Sequence, residues 1–216
     1  MSLNSSLKRL SIFFLFLSSF AFGQEKEDDT RKLKKVGVLF NNAKQNNFLF
    51  SDKDYDYKTN TFKAQLFYSL RKGENWDINL IVQPQFQIAE HQLLNIFFVT
   101  PDEPNFEDLR DRYSQKKTIS LYAFELGFQL RKELLDSLFF ESTLGLGVAY
   151  IDVETERLAQ GFTFLENLSV GLAYQLKNTE FYLGTNVGHV SNFNIQKPNS
   201  GYDLLGFEIG YRIYIN

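Results

Sequence analysis

The stretch GHVSNFNIQKPNSGYDLLG carries three side chains that together could do chemistry, His189, Ser191 and Asp203. In a β-strand, residues i and i+2 share a face and lie about 6.6 Å apart at the backbone. An imidazole can span that gap to a hydroxyl, so His189 could take the proton of Ser191 while a carboxylate fixes the imidazole tautomer. The spacing therefore suits a nucleophilic site of the serine–histidine–acid kind, and the alternative at this point is a set of polar residues that simply lie at the membrane interface.

Two carboxylates are candidates for the acid that orients His189. Asp203 follows in the next strand and has the same outward parity. Glu166 lies in the preceding strand, and it falls directly across from His189 if residues 177–178 form a two-residue hairpin turn. The loop that leads to Asp203 is too long to fix its register, so both acids stay candidates.

The elements that must position these residues are β-strands. From residue 34 onwards, apolar and polar side chains alternate with period two, which predicts strand rather than helix. The predicted strands of about 12–15 residues are longer than those of ordinary sheets. Eight are predicted, at 34–42, 60–71, 75–88, 118–132, 137–150, 161–176, 179–191 and 202–215.

A soluble sandwich would also alternate, but the connections favour a membrane barrel. Turns after the even-numbered strands are brief, whereas loops after the odd-numbered ones are long, above all the loop near 89–117. Short turns on one side, long loops on the other and an even strand number are typical of outer-membrane barrels. We therefore predict an all-β chain, an eight-stranded antiparallel transmembrane β-barrel over residues 34–216.

The N-terminus reads as an export signal. Lys8 and Arg9 precede an apolar run that is short for a membrane helix, and small residues follow it. We predict a cleaved signal peptide at 1–23, a charged tail at 24–33 and localisation in the bacterial outer membrane. The chain has no cysteine, which excludes disulfides and a thiol nucleophile. Its net charge of -3 gives no basic footprint for nucleic acid, and its 23 phenylalanines suit a protein with aromatic bands at two interfaces.

Parity then predicts where each polar side chain points. His189, Ser191 and Asp203 share the face of the apolar residues, so they project outward near the extracellular rim. Ionisable groups on a lipid face cost free energy, which suggests that they have a use. His91 falls in the predicted long loop and is expected to be solvated. The charged residues of the inward parity are expected to form a structural ion-pair network: Glu125, Arg131, Glu141, Glu180, Glu208 and Arg212.

The sequence around His189 resembles the lipid A 3-O-deacylases, or PagL-like outer-membrane barrels. The resemblance rests on the His-x-Ser-Asn run, the Pro-Asn and Gly that follow, and an acid 14 positions after the histidine. It implies that Ser191 is the nucleophile, His189 the general base, Asp203 the orienting acid and Asn192 an oxyanion donor. The family usually has Glu at the acid position, and the shorter aspartate keeps Glu166 of interest.

The resemblance also implies the substrate and the reaction. The partner would be lipid A or lipopolysaccharide in the outer leaflet, and the reaction the hydrolysis of an ester-linked acyl chain, with no cofactor or metal. Two other functions stay open at this point: a non-catalytic barrel with a structural or adhesive role, and an acyltransferase on a similar barrel. The sequence also leaves open a homodimer, with two barrels side by side.

Overall fold

The computed structural model describes residues 32–215, which form one closed barrel of eight antiparallel strands. The predicted signal peptide and nearly all of the predicted tail lie outside the described residues. A short 3-10 helix, Ile96–Phe98, and one α-helix, α1 at Phe106–Ser114, lie in the longest loop. The strands are β1 Leu33–Lys44, β2 Tyr55–Arg71, β3 Asp77–Leu93, β4 Lys117–Leu135, β5 Leu138–Ile151, β6 Gly161–Leu176, β7 Thr179–Ser191 and β8 Tyr202–Tyr214.

Hydrogen bonding between the first and last strands closes the barrel. Val38 on β1 faces Ala64 on β2 and Tyr211 on β8, so each strand has two neighbours. A closed sheet leaves no unpaired edge, as the interior of a bilayer requires. Between residues 32 and 215, no helix is both long enough and apolar enough to cross a membrane.

Period-two alternation divides the side chains between an outer and an inner face, as predicted. The outer wall carries large apolar side chains such as Phe62, Phe124 and Leu183, which stay about half exposed because nothing among residues 32–215 covers them. The inner positions of the same strands are buried and mostly polar, as at Gln83 and Gln85 on β3. This polarity is reversed from that of a soluble protein and fits a wall surrounded by lipid.

An ion-pair network fills the periplasmic half of the interior. Glu180 accepts hydrogen bonds from Lys35 and Arg212 at 2.8 Å and from Arg131 at 2.5 Å. Glu141 pairs with the same two arginines. These buried charges are therefore matched by partners, and the predicted network is confirmed for the two arginines and these two glutamates.

The remaining inner charges lie at mid-barrel. Glu125 pairs with Lys63 at 3.1 Å and accepts from Gln83 at 2.6 Å. Glu208 accepts a 3.4 Å hydrogen bond from the Tyr182 hydroxyl, and no ion pair of Glu208 occurs in the part of the chain that the structure describes. A cavity of about 10 Å³ remains between these side chains, room for about one water molecule. The lumen at this level is packed rather than open.

Apolar side chains close the extracellular half of the interior. Tyr57, Ile151, Leu158, Val190 and Tyr202 belong to one buried cluster inside this end of the barrel. The inner face of β7 therefore changes from polar to apolar as the strand approaches the extracellular loops. The outward-facing residues at the end of β7 are backed by this buried cluster.

The prediction for His91 was wrong. Strand β3 continues to Leu93, so His91 is an inward-facing strand residue whose side chain is fully buried. Its Nε2 lies 2.8 Å from the carboxylate of Glu156, and its ring stacks on Tyr57 with centroids 4.1 Å apart. Tertiary packing at the barrel end extends β2 and β3 beyond the predicted limits and shortens the loop to residues 94–116.

Candidate active site

Three adjacent strands bring the candidate histidine and both candidate acids into one row. His189 on β7 pairs directly with Glu166 on β6 and with Asp203 on β8. The pairing with Glu166 is the register that a two-residue turn at 177–178 predicts. Directly paired residues on one face of a sheet have Cβ atoms about 4.5–5.5 Å apart, so both acids are neighbours of the imidazole.

The histidine is hydrogen bonded to only one of these acids. Its Nδ1 lies 2.7 Å from Oδ1 of Asp203, and the two side chains are 38% and 48% exposed. The ionised carboxylate can only accept, so Nδ1 carries the proton in this contact. Nε2 is then the basic nitrogen, as a general base needs.

Ser191 occupies the last position of β7, where the chain turns into the loop of residues 192–201. It has the outward parity of His189, yet it is only 9% exposed. Its carbonyl accepts a 2.8 Å hydrogen bond from the hydroxyl of Thr163. Across residues 32–215 its own hydroxyl makes no hydrogen bond, with His189 or otherwise. Catalytic hydrogen bonds are often long without substrate and tighten when it binds.

Gly201 packs its backbone against both reactive side chains. A Cβ at this position would lie 3.2 Å from Cε1 of His189 and 3.2 Å from Cβ of Ser191. It would also lie 2.6 Å from the carbonyl oxygen of Val190, and the backbone φ of +66° favours glycine. The close approach of the loop to the site therefore requires a residue without a side chain.

An aromatic cluster borders Ser191 on the outer wall. Phe164, which pairs with Ser191 across β6 and β7, has its ring centroid 4.7 Å from that of Phe193 and 4.8 Å from that of Phe162. Phe193 is 60% exposed. The nucleophile candidate thus lies at the edge of an apolar surface that faces the bilayer.

Glu166, the second candidate acid, and Asn192, the candidate oxyanion donor, differ in exposure and in hydrogen bonding. Glu166 is exposed, and no hydrogen bond joins it to His189 within residues 32–215. Asn192 is fully buried, and its side-chain amide donates to the carbonyl of Gln196 at 3.0 Å and accepts from the backbone N–H of Asn194 at 3.1 Å. One N–H of the Asn192 amide is left for another acceptor.

Sequence reasoning predicted a long loop between β5 and β6, here residues 152–160, but did not connect it with the site. Arg157 in this loop donates from Nε to the carbonyl of Gly201 at 2.6 Å. Its side chain comes from far away in the sequence, and no spacing or periodicity pointed to it. Among residues 32–215, no group of three or more histidine, aspartate or glutamate side chains has a metal-binding arrangement.

A known protein family matches the part of the chain that carries the candidate site. The family model described as lipid A 3-O-deacylase (PagL) matches residues 113–212, which include every candidate site residue. No curated relative matches the chain significantly. The resemblance to the lipid A 3-O-deacylases is confirmed over this part of the chain.

The solved structure of an outer-membrane enzyme shares the fold. The outer membrane enzyme PagL is 15% identical, with a TM-score of 0.51, and the match covers 84% of this chain and 99% of that one. Neisserial surface protein A is 13% identical, with a TM-score of 0.46 and coverage of 84% and 97%. OprG from Pseudomonas aeruginosa is 8% identical, with a TM-score of 0.44 and coverage of 87% and 98%. The chain is an outer-membrane β-barrel, located in the bacterial outer membrane, and nothing in these comparisons supports a homodimer.

Proposed function

We propose that this PagL-like barrel hydrolyses an ester-linked acyl chain of lipid A in the outer leaflet. The match to the lipid A 3-O-deacylase model supports the reaction class. The observation that carries the proposal is the 2.7 Å contact between His189 Nδ1 and Asp203 Oδ1 on the outer wall, two residues from Ser191. An imidazole held in this way has the tautomer that activates a hydroxyl.

The outward position of the site suits a lipid substrate. Lipid A diffuses sideways in the leaflet to the barrel wall, and its ester carbonyl reaches Ser191 at the rim. The acyl chain stays among apolar side chains such as Phe164 and Phe193, so no deep pocket is needed. The packed interior at mid-barrel leaves no route for a lipid through the lumen, and a substrate that approaches from the bilayer needs none.

Acylation begins when Ser191 Oγ attacks the ester carbonyl carbon and its proton passes to His189 Nε2. Asp203 stabilises the imidazolium that forms. The tetrahedral intermediate collapses as the C–O bond to the sugar breaks, and the imidazolium gives its proton to the departing sugar oxygen. The products of this half-reaction are an acyl-serine and the deacylated lipid.

Deacylation repeats these steps with water. His189 Nε2 takes a proton from a water molecule, which attacks the acyl-serine carbonyl. The bond to Oγ breaks, Ser191 regains its proton from the imidazolium, and a free fatty acid leaves. The rim position supports this step because His189 and Asp203 are partly exposed and water can reach them.

The oxyanion of both tetrahedral intermediates needs hydrogen-bond donors. The remaining N–H of the Asn192 amide is our candidate, since the residue directly follows Ser191 and is held rigidly by its contacts to Gln196 and Asn194. A fixed donor in a site of low dielectric stabilises such a charge more than water would.

Mass spectrometry of lipid A from cells that express the barrel tests the proposal. The wild type should remove one hydroxyacyl mass, whereas Ser191→Ala and His189→Ala should leave lipid A intact. Ser142→Ala removes another hydroxyl of the outer wall, on β5, and should keep wild-type activity. Unchanged lipid A with a folded wild type would refute hydrolysis and favour a non-catalytic barrel, and a gain of acyl mass would indicate transfer.

A further inference from the structure

The loop of residues 152–160 is hydrogen bonded to the loop of residues 192–201, which follows Ser191. Ala159 N–H donates to the carbonyl of Pro198 at 2.9 Å, and Leu158 forms an isolated β-bridge with Asn199. These contacts join the β5–β6 connection to the β7–β8 connection. The two loops therefore form one structural unit above the site.

Arg157 makes four further hydrogen bonds between the two loops. Its carbonyl accepts from the backbone N–H groups of Ser200 at 2.7 Å and Gly201 at 3.1 Å. Its guanidinium donates back to the carbonyls of the same two residues, from Nε to Gly201 at 2.6 Å and from Nη2 to Ser200 at 3.3 Å. The guanidinium also lies 4.0 Å from the ring centroid of Tyr55, which fixes its plane. One residue is thus hydrogen bonded to both the N–H and the carbonyl groups of two consecutive residues in the loop of residues 192–201, and we call this set of contacts the Arg157 grip.

The loop segment bound by Arg157 contacts the candidate catalytic side chains. Gly201 lies against His189 and Ser191, as its hypothetical Cβ contacts demonstrate, and β8 begins at the next residue. Asp203 follows two residues after Gly201. A shift of the peptide at Gly201 therefore moves both the wall of the site and the acid that orients the imidazole.

The base of the gripping loop is anchored inside the barrel. Glu156 is buried and lies 2.8 Å from His91 Nε2, and Thr155 accepts a 2.9 Å hydrogen bond from the hydroxyl of Tyr57. Tyr57 stacks between His91 and Tyr202, with centroids 4.1 Å apart on each side. These contacts fix the start of the loop to the barrel core, and they therefore fix the position of Arg157, the next residue.

We infer that Arg157 is a positioning residue for the hydrolysis at Ser191, acting through Gly201 rather than by contact with the substrate. The inference rests on the proposed function. Misplacement of a reacting group by about 1 Å can lower a rate by about 100-fold. Loss of the guanidinium should therefore lower kcat by about 10- to 100-fold and change KM by less than about threefold, since ground-state binding of the lipid is not its role.

A cation at this rim could instead attract anionic lipid A, and the lysine variant separates the two roles. Arg157→Lys keeps the charge but loses the Nε–H bond and the planar group over Tyr55. Positioning predicts that lysine stays nearly as impaired as alanine in kcat. Electrostatic attraction predicts that lysine restores activity and that alanine acts on KM and on its salt dependence.

Arg110 provides a matched control. It also donates from Nε and Nη2 to a loop carbonyl, that of Val99 at 3.0 and 2.8 Å, and its guanidinium lies over Phe106. Its loop contacts Arg157 through the Phe98 ring, whose centroid lies 5.5 Å from the guanidinium, but within residues 32–215 it makes no hydrogen bond to His189, Ser191 or Asp203. Arg110→Ala should therefore keep kcat within about twofold, whereas an equal loss in both variants would overturn the inference in favour of general loop stability.

The experiment uses the full barrel, purified and refolded in detergent micelles, with lipid A as substrate. Folding of each variant is first checked by the migration of unheated barrel on gels, and only folded protein is assayed. A loss in kcat for Arg157→Ala and Arg157→Lys, with Arg110→Ala unaffected, supports the inference. Wild-type kcat in Arg157→Ala, rescue by lysine or an effect confined to KM overturns it.

Hydrogen exchange distinguishes failure of this inference from failure of the proposed function. The amides of Ser200 and Gly201 should exchange at least about tenfold faster in Arg157→Ala than in the wild type, and at wild-type rates in Arg110→Ala. If the wild type is inactive but the variants exchange in this pattern, the deacylase function is refuted, whereas the conclusion that Arg157 fixes the loop at Gly201 still holds. Unchanged exchange in Arg157→Ala would overturn the grip itself.

Discussion

Replacement of Asp203 by asparagine removes the charge beside His189 and keeps the shape of the side chain. If the amide oxygen stays on Nδ1–H, the imidazolium that forms during acylation loses its counter-charge. If the amide turns its NH2 group to the ring, Nδ1 becomes the acceptor and the proton moves to Nε2, the nitrogen that must take the proton of Ser191. Both outcomes lower kcat, because the defect lies in the transition state rather than in lipid binding.

The exposure of the pair sets the expected size of the loss. The same change in a fully buried serine–histidine–aspartate triad costs about 10⁴-fold. Here the imidazole is 38% and the carboxylate 48% exposed, so water screens part of the interaction. We expect kcat to fall by about 10²- to 10³-fold, which corresponds to about 3–4 kcal/mol of transition-state stabilisation.

Glu166 supplies the matched comparison, since it pairs with His189 from the opposite side but is not hydrogen bonded to it. Glu166→Gln should keep kcat within about threefold, and Asp203→Glu, which restores the acid usual in the family, should keep more than a tenth of it. Release of fatty acid from lipid A in micelles measures all three variants. A large loss in Glu166→Gln with little loss in Asp203→Asn would refute the assignment of the orienting acid and transfer that role to Glu166.

The other expected outcomes concern the wall of the site and the barrel interior. Gly201→Ala should lower kcat at least about tenfold in a barrel that still folds, because its Cβ would meet the Val190 carbonyl at 2.6 Å. Gly161→Ala shares a positive φ, but its Cβ would meet its neighbour only at an ordinary 3.4 Å, so equal losses in both would show that backbone strain is the cause. Glu180→Gln leaves Lys35 without its carboxylate partner and the two buried arginines with Glu141 alone, so it should lower the free energy of unfolding in urea by about 3–5 kcal/mol. Glu90→Gln, at an exposed pair, should leave the urea midpoint unchanged. His91→Leu leaves the buried Glu156 carboxylate without its partner and should lower the free energy of unfolding by about 1–3 kcal/mol in the same urea titration. An unchanged midpoint would contradict a stabilising role for the His91–Glu156 contact.

The strands and the outward face of the site could be predicted from the sequence because both depend on local pattern. Alternation with period two sets which side chains face lipid, and a one-residue slip would reverse every one of them. The two-residue turn at 177–178 then fixes the pairing of β6 with β7, and with it the position of Glu166 across from His189. Local signals of this kind need no knowledge of the rest of the fold.

Other parts of the site depend on contacts between distant segments, which local pattern does not encode. The hydrogen bond of Asp203 follows from the pairing of β8 with β7 across a long loop, whose length alone does not set a register. Arg157 reaches Gly201 from another connection. His91 was misjudged because a strand that ends near residue 88 would leave it in a loop, whereas stacking on Tyr57 and the contact with Glu156 extend β3 to Leu93.

The position of the site on the outer wall follows from how the interior is filled. Ion pairs such as Arg131 with Glu141 occupy the periplasmic half, and apolar side chains occupy the extracellular half, so a lipid has no room inside. On an outer wall, Ser191 follows His189 along the same strand, but an acid can reach the imidazole only from an adjacent strand that places it directly opposite. The pairing of His189 with Asp203 gives this placement. A slip of β8 by one residue against β7 would turn Asp203 toward the lumen and Tyr202 toward lipid, and the imidazole would lose its acid without any change in the residues themselves.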